Sequence, residues 1–382
     1  MEGLCQLQRR DALGRLAEVS PGLCWSRSRS GRAWAWALLA ALALGAGGRR
    51  AQAFELDANA WAGAKVPAEL ADHLGAYRRL YMDLYLLSPP EAGGGGPRLV
   101  RIPASLPPEW SRFIGTDCPA KGVQVIALVS NQTLSLSHTF RTDGLDTVFG
   151  DTRWGRWAID TLVAMALQDH VQGLAVHFQG SDPGQQVPFL NWFRALAAAA
   201  KAKGLEVDAE LAVQYHDDDN AYYAGIQSYR GLGGIACQAL FGPGSMMIGP
   251  GGGSGVVPAH FFQDALDYAR QRLPQDRGVL TLDVGGRLWR NGTVHALDKQ
   301  AWKALLAQAG APDRMEDGRL TVDTGNGLAT YMDAAALAHW IIKSGAAGLG
   351  GVCLEPAGLV DPGFWRWWDM NKASLAGTAA AP

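Results

Sequence analysis

Two polar side chains close an apolar stretch in the middle of the chain, where the sequence reads QGLAVHFQG at 172–180. His177 and Gln179 are two residues apart, so in a β-strand they lie on the same face. Imidazole can exchange a proton near neutral pH. A glutamine amide does not titrate, so Gln179 can bind a polar ligand but cannot act as a general acid.

Carboxylates stand at the ends of other apolar stretches. Glu355 follows GVCL, Asp283 follows LTL, and Asp217 lies in the HDDD run after Tyr215. Paired carboxylates across a cleft are the usual catalytic groups of glycosidases. These three acids are therefore our candidate catalytic residues. HDDD is also typical of a solvated helix start, and Glu355 could instead form a buried ion pair with Arg287.

The elements that position these residues alternate between strand-like and helix-like segments, which predicts a parallel α/β fold. Eight strands are predicted, at 54–58, 79–87, 122–130, 172–179, 205–215, 233–241, 278–286 and 348–356. Eight such units predict a (β/α)8 TIM barrel, with an insertion at 287–330 between the seventh strand and the last helix, 332–345. The alternative is a doubly wound open sheet, but no glycine run has G-x-G-x-x-G spacing before a helix.

In a TIM barrel the functional side chains lie at the C-terminal ends of the strands. We therefore expect a ligand-binding mouth there. Its predicted contacts are Gln179, His177, Asn131, Tyr215, Gln238, Arg287 and Trp289.

The first 53 residues have the pattern of an export signal. Arginines precede the apolar run at 33–47, and Ala51-Gln52-Ala53 matches an A-x-A cleavage site. We expect cleavage near Ala53 and a periplasmic or extracellular protein, with the barrel at 54–372 and a flexible tail at 373–382. An uncleaved membrane anchor is the alternative, although a span takes about 20 apolar residues.

Charge and cysteine content exclude several classes of partner. Eight of the 34 basic residues but only three of the 36 acidic residues precede residue 54, so the remainder is acidic. Nucleic acid binding requires clustered Lys and Arg, so we expect none. No nucleotide motif and no C-x-x-C pair is present, and His216 has no second histidine at ligand spacing. We expect no metal and no cofactor.

Two C-terminal segments resemble glycoside hydrolase family 18, the chitinase-like barrels. LTLDVGGRLW at 280–289 is similar to the family's seventh-strand segment, a Tyr-Gly-Arg-x-Trp run: Gly286, Arg287 and Trp289 match, and Gly285 replaces the Tyr. The segment 320–362 resembles the family's closing helix and strand. Glu355 stands where the family has the Trp that floors a sugar subsite.

The fourth predicted strand departs from the family at its catalytic motif. Aligned with D-G-x-D-x-D-x-E, the chain has Gln172, Ala175 and His177 for the three Asp and Gln179 for the Glu. The resemblance makes that Glu the family's general acid, beside an Asp that orients the nucleophilic N-acetyl group. Loss of a general acid typically lowers the rate about 10²–10⁴-fold.

The sixth predicted strand has lost the family's supporting pair as well, since its Tyr and Asp positions fall on Leu240 and Phe241. The resemblance therefore implies an exported family-18-like protein that binds an N-acetylglucosamine-type glycan, chitin- or peptidoglycan-like, without cleaving it by the family mechanism. A hydrolase with relocated carboxylates and an envelope scaffold protein are the alternatives. The 14 Trp favour sugar binding. Asn131 and Asn291 lie in N-x-T sequons.

Overall fold

The computed structural model describes residues 54–89, 95–132, 140–180, 182–214, 225–242, 259–290, 293–325 and 327–378. The predicted export signal, Tyr215 and Asp217 lie outside these ranges. Within them, no helix combines the length and the apolar character that crossing a membrane requires.

Eight parallel strands close into a barrel. They are β1 (Glu55–Ala60), β2 (Arg79–Ser88), β4 (Gln124–Ser130), β5 (Gly173–His177), β6 (Glu206–Leu211), β7 (Ala239–Phe241), β8 (Gly278–Asp283) and β14 (Gly351–Glu355). Because β1 pairs with both β14 and β2, the ring has no open edge. A short strand, β3 (Arg98–Arg101), adds antiparallel to β2. The predicted TIM barrel is confirmed, and the open sheet is excluded.

Most of the helices cover the outside of the barrel. The helices are α1 (Ala68–Asp72), α2 (Pro108–Arg112), α3 (Cys118–Ala120), α4 (Asp143–Gly150), α5 (Thr152–Gln168), α6 (Gln186–Lys201), α7 (Tyr229–Gly233), α8 (Ala259–Arg272), α9 (Lys299–Ala309), α10 (Ala334–Ala346) and α11 (Gly363–Thr378). In α5 the buried residues Ile159, Leu162, Val163 and Ala166 recur at helical spacing and face the sheet. The Asp151 carboxylate caps this helix by accepting from the Arg153 amide.

The last helix continues beyond the predicted end of the barrel. α11 runs to Thr378, and Leu375 is buried against the main hydrophobic core. The helix thus extends six residues into the segment 373–382 that was expected to be a flexible tail.

A second, antiparallel sheet follows β8. Its strands are β9 (Gly285–Arg290), β10 (Thr293–Leu297), β11 (Asp313–Arg314), β12 (Leu320–Asp323) and β13 (Leu328–Met332), in the order β10-β9-β13-β12-β11. The predicted seventh barrel strand reached 286, but β8 ends at Asp283. Gly285 has a φ of 78°, a left-handed conformation that redirects the chain into the second sheet. On that sheet, Trp302 of α9 stacks against Tyr331.

Alternate residues of the barrel strands point inward and form layers. A buried apolar cluster fills the middle of the barrel, made of Tyr81, Ile126, Leu128, Ala175, Leu240, Val279 and Cys353. Inward positions toward the N-terminal ends of the strands form the base of the barrel. Inward positions at the C-terminal ends form its mouth. Polar side chains gather at both ends.

Candidate functional site

Five titratable side chains occupy the last inward positions of five strands at the mouth. This mouth cluster consists of Asp83, His177, Glu210, Asp283 and Glu355. Glu355 and Asp283 are direct partners in the β14–β8 register, so two carboxylates lie side by side across neighbouring strands. Side chains in a strand alternate between its two faces. Each of these residues lies two positions beyond an inward-pointing residue of its own strand and therefore also points inward.

His177 links two strands at the mouth. Its Nε2 contacts the side-chain amide nitrogen, Nε2, of Gln179, and its Nδ1 lies 3.3 Å from Oε1 of Glu210. Burial lowers the pKa of His177 to about 4, partly offset by the nearby Asp83 charge. The imidazole is therefore neutral at pH 7. With the amide donating to Nε2, the ring proton sits on Nδ1 and points at Glu210.

Glu210 is a buried carboxyl with one unused oxygen. Burial, followed by the charge of Asp83, raises the pKa of Glu210 to about 8. Its Oε2 is buried and has no hydrogen-bond partner within the described part of the chain. At neutral pH this side chain is a protonated acid with one oxygen whose hydrogen-bonding capacity is unused by the described residues.

Glu355 is only 9% exposed. The pKa of Glu355 is raised well above its ordinary value by burial, and then by the charges of Glu210, Asp283 and Asp83. Among the residues that the structure describes, none forms a hydrogen bond or ion pair with its side chain. The expected ion pair between Glu355 and Arg287 is therefore not formed.

Arg287 pairs with Asp283 instead, and it also donates to the carbonyl of Gly286. The turn at Gly285 causes this, because it brings β9 back beside the end of the strand from which it departs. Burial raises the pKa of Asp283 to about 6, against the opposing effect of Arg287. Asp283 thus has a counter-ion, in contrast to Glu355.

Asp83 and Glu210 were missed by the sequence analysis. Both lie within predicted strands rather than at their ends, yet both are in phase with other polar residues. Glu206, Asp208 and Glu210 alternate along β6, and Asp83 continues the phase of Arg79 on β2. That alternation is the signal that could have found them. Burial raises the pKa of Asp83, while His177 and a hydrogen bond from Trp61 lower it.

Asn131 does not present its amide to the mouth. Its Nδ2 donates to the carbonyls of Gln179, at 2.8 Å, and Arg141, at 3.0 Å, and its Oδ1 accepts from the Gln179 amide at 3.0 Å. The side chain therefore fastens the end of β4 to the end of β5. Its hydrogen-bonding groups are already used by the backbone, so the predicted contact of Asn131 with a ligand has no support from its amide.

Gln238 lies at the opposite end of the barrel from the mouth. Its side chain accepts from the Tyr81 hydroxyl at 2.8 Å and donates to Glu55 at 2.6 Å, and its backbone amide donates to Asp208. The predicted strand 233–241 contains only the short β7, which begins at Ala239. Gln238 therefore precedes the strand, and its predicted place at the mouth is wrong.

Trp289 lies on β9 two residues beyond Arg287 and thus on the same face. It is 9% exposed, and its indole Nε1 is buried without a partner among the described residues. Trp61, 53% exposed, stands at the rim after β1. The structure thus gathers His177, Gln179, Asp283, Arg287 and Glu355 at one end, whereas Tyr215 and Asp217 lie outside the described residues. No metal-binding group of three or more His, Cys, Asp or Glu occurs in the described ranges.

Comparison with known proteins identifies the fold. No family model matches the sequence, and no curated protein matches it. Solved structures do match. The spore cortex-lytic enzyme SleL of Bacillus megaterium superposes with a TM-score of 0.70 at 14% identity, over 83% of this chain and 74% of that one. A chitinase from Chromobacterium violaceum gives 0.67 at 21% identity, over 85% and 99%.

The chain has the fold of the family 18 chitinase barrels. A family 18 chitinase from Cycas revoluta, in complex with (GlcNAc)4, also matches, with a TM-score of 0.62 at 11% identity over 86% of this chain and 100% of that one. At these identities the likeness establishes the family 18 fold. The resemblance drawn from 280–289 and 320–362 is confirmed at that level.

Proposed function

We propose that this chain is an exported protein that binds an N-acetylglucosamine-type glycan at the barrel mouth and does not cleave it by the family 18 mechanism. The observation that carries the proposal is the end of β5. There His177 is neutral and Gln179 is an amide, and both are hydrogen-bonded into the mouth. Neither side chain can act as the strong proton donor that glycosidic cleavage requires.

The fold and the aromatic residues support a glycan ligand. The solved structures of similar fold include chitinases, one of them bound to (GlcNAc)4, and a spore cortex-lytic enzyme. Trp61 offers an exposed ring at the rim, and Trp289 offers a buried indole N–H beside Arg287. Aromatic rings with a polar edge suit sugars, which have both apolar faces and hydroxyl groups. Chitin- and peptidoglycan-like polymers are the proposed ligands.

The test is to measure binding and cleavage on the same material. We expect purified protein to bind chitin oligosaccharides or peptidoglycan fragments in calorimetry and to release no reducing ends. Gln179→Glu should not create activity, because the neighbouring positions 175 and 177 also lack carboxylates. If no glycan binds, the proposal fails and the alternative of an envelope scaffold protein is favoured.

Export depends on the first 53 residues and is tested separately. We expect the protein recovered from the periplasm or the medium to begin at Phe54, as read by N-terminal sequencing. An intact N-terminus in the membrane fraction would instead support an uncleaved anchor.

Hydrolysis by relocated carboxylates, with Glu355, Asp283 and Asp217 as candidates, is the second proposed function. It is favoured by the adjacent positions of Glu355 and Asp283, since the pKa of Glu355 is raised far more than that of Asp283. Carboxyl groups with separated pKa values can divide acid and base roles. Release of reducing ends that is lost in Glu355→Gln and kept in Gln179→Ala would establish this activity.

A further inference from the structure

The mouth holds more acid than its surroundings neutralise. Four carboxyl groups from four strands face it, those of Asp83, Glu210, Asp283 and Glu355. Arg287 is committed to Asp283, and His177 is neutral. Arg319, which also influences Asp283, is paired with Asp317. The described residues around the mouth therefore leave an excess of negative charge whenever the carboxyl groups ionise.

Two of the four carboxyl groups have oxygens without a hydrogen-bond partner among the described residues. Glu355 is 9% exposed and has no hydrogen-bond partner among the described residues, and Oε2 of Glu210 has none either. Native proteins pair buried carboxylates with donors or cations, because an isolated buried charge is strongly disfavoured. A cationic donor from outside the described chain would supply the hydrogen bonds that these oxygens lack.

A metal ion does not fit this arrangement. Within the described ranges no three acidic, histidine or cysteine side chains converge as metal ligands. The carboxyl groups instead come from four strands around one end of the barrel. An ammonium group suits such a site, because its three N–H donors can each reach a different oxygen.

We infer that the mouth recognises a de-N-acetylated amino sugar, whose 2-ammonium group binds between Glu355 and Glu210. This inference rests on the proposed glycan binding and specifies the sugar. In a polymer of N-acetylglucosamine type, removal of an acetyl group turns a neutral acetamide into a cation. The neighbouring Trp289 and Arg287 would then contact the uncharged part of the sugar.

Binding of this cation should change the number of protons bound to the protein. Burial and mutual repulsion keep the pKa values of Glu210 and Glu355 raised in the free protein. A bound ammonium group favours their charged forms and lowers those pKa values. Binding of the amine in its charged form should therefore release protons from these carboxyl groups, with Asp83, Asp283, His177 and Arg287 as the other titratable or charged groups facing the ligand.

The experiment compares two oligosaccharides of equal length, hexa-N-acetylchitohexaose and fully de-N-acetylated glucosamine hexamer. Calorimetry at pH 6.5 in two buffers of different ionisation enthalpy gives the affinity and the protons released. We expect the glucosamine hexamer to bind about tenfold more tightly, because it gains charge-assisted hydrogen bonds, and to release protons. Glu355→Gln and Glu210→Gln should each remove most of this preference. Asp160→Asn, an exposed acid on α5, is the matched control and should keep it.

The outcomes separate this inference from the proposal on which it depends. Equal or tighter binding of the N-acetylated hexamer overturns the inference and leaves glycan binding intact. Failure of both hexamers to bind overturns the proposed function. A preference for the glucosamine hexamer that survives both glutamine substitutions would assign the attraction to the general acidic surface and would also overturn the inference. Thermal unfolding of each variant verifies that it is folded.

Discussion

The two ends of the barrel hold similar numbers of acidic side chains but differ in the partners that these side chains have. The base cluster consists of Glu55, Asp57, Arg79, Tyr81, Glu206, Asp208 and Gln238. Arg79 contacts Glu206 at 2.6 Å and Asp208 at 3.7 Å, and the Tyr81 hydroxyl lies 2.9 Å from Asp208. At the base, every member of the cluster has at least one partner within the protein, although Oδ2 of Asp57 is itself buried without a hydrogen bond from the residues that the structure describes.

At the mouth, Asp283 alone among the four carboxyl groups has a guanidinium partner within the described chain, while Glu355 has none. The same residue type is thus structural at one end and available at the other. Burial of a carboxylate therefore does not by itself mark a functional site. A buried carboxyl group with no hydrogen-bond partner on either oxygen among the described residues, as at Glu355, is the better indicator, because the protein gains nothing from such a group until a ligand arrives.

Replacing Arg79, the cation of the base cluster, should have the largest effect on stability. Arg79→Met leaves the buried Asp208 without its counter-charge and should lower the free energy of unfolding by about 3–5 kcal/mol. Chemical denaturation measures this. Arg78→Met is the matched control, because Arg78 is half exposed in its ion pair with Glu55. It should cost no more than about 1 kcal/mol. Equal losses in the two variants would contradict the structural role of the base.

The pH dependence of stability should distinguish the two ends next. The pKa of Glu210 is raised from 4.5 to about 8, so the native state holds a proton that the unfolded state has lost. The contribution of Glu210 to the free energy of unfolding is greatest below about pH 4.5. It declines as the pH rises toward 8, by up to about 1.4 kcal/mol per pH unit. The pKa of Asp208 at the base is raised only to about 6, so the pH-dependent loss of stability from Asp208 is complete at a lower pH than that from Glu210.

Urea denaturation at pH 5, 6.5 and 8 tests this difference. Glu210→Gln should flatten the decline above pH 6.5, whereas Asp160→Asn should not change it. A decline of equal steepness in Glu210→Gln and the unmodified protein would show that Glu210 does not bind a proton in this range.

The smallest effect is expected for Glu355→Gln. The substitution removes a buried acid that lacks a partner, so the free energy of unfolding at pH 7 should stay the same or rise by about 1 kcal/mol. Asp208→Asn at the base removes a hydrogen-bonded acid and should lower it. Denaturation of both variants side by side measures the contrast. Destabilisation by Glu355→Gln equal to that by Asp208→Asn would mean that Glu355 is as structural as the base acids.

The barrel could be predicted from the sequence because each strand is an apolar run separated from the next by a helix-forming segment. Glu355 and Asp283 could be predicted as mouth residues because they end such runs. Asp83 and Glu210 could not be found in that way, since they lie inside strands and only their phase distinguishes them. Gln238 was misplaced because β7 has three residues, too few for its start to be read from periodicity.

Pairings between distant segments could not be predicted from the local sequence. The choice of Arg287 for Asp283 rather than Glu355 depends on the direction in which the chain leaves β8, and Gly285 alone does not specify that direction. The role of Asn131 depends on the spacing between β4 and β5, which the local sequence does not contain.

Asn131 also has a consequence for the production of this protein. It belongs to an N-x-T sequon, yet it is 1% exposed and its Nδ2 donates to two carbonyls. A carbohydrate attached to that nitrogen would replace one of these hydrogens and could not be housed at the strand junction. In a eukaryotic secretory host, only chains that escape modification at this site would reach the native state, and bacterial expression avoids the loss.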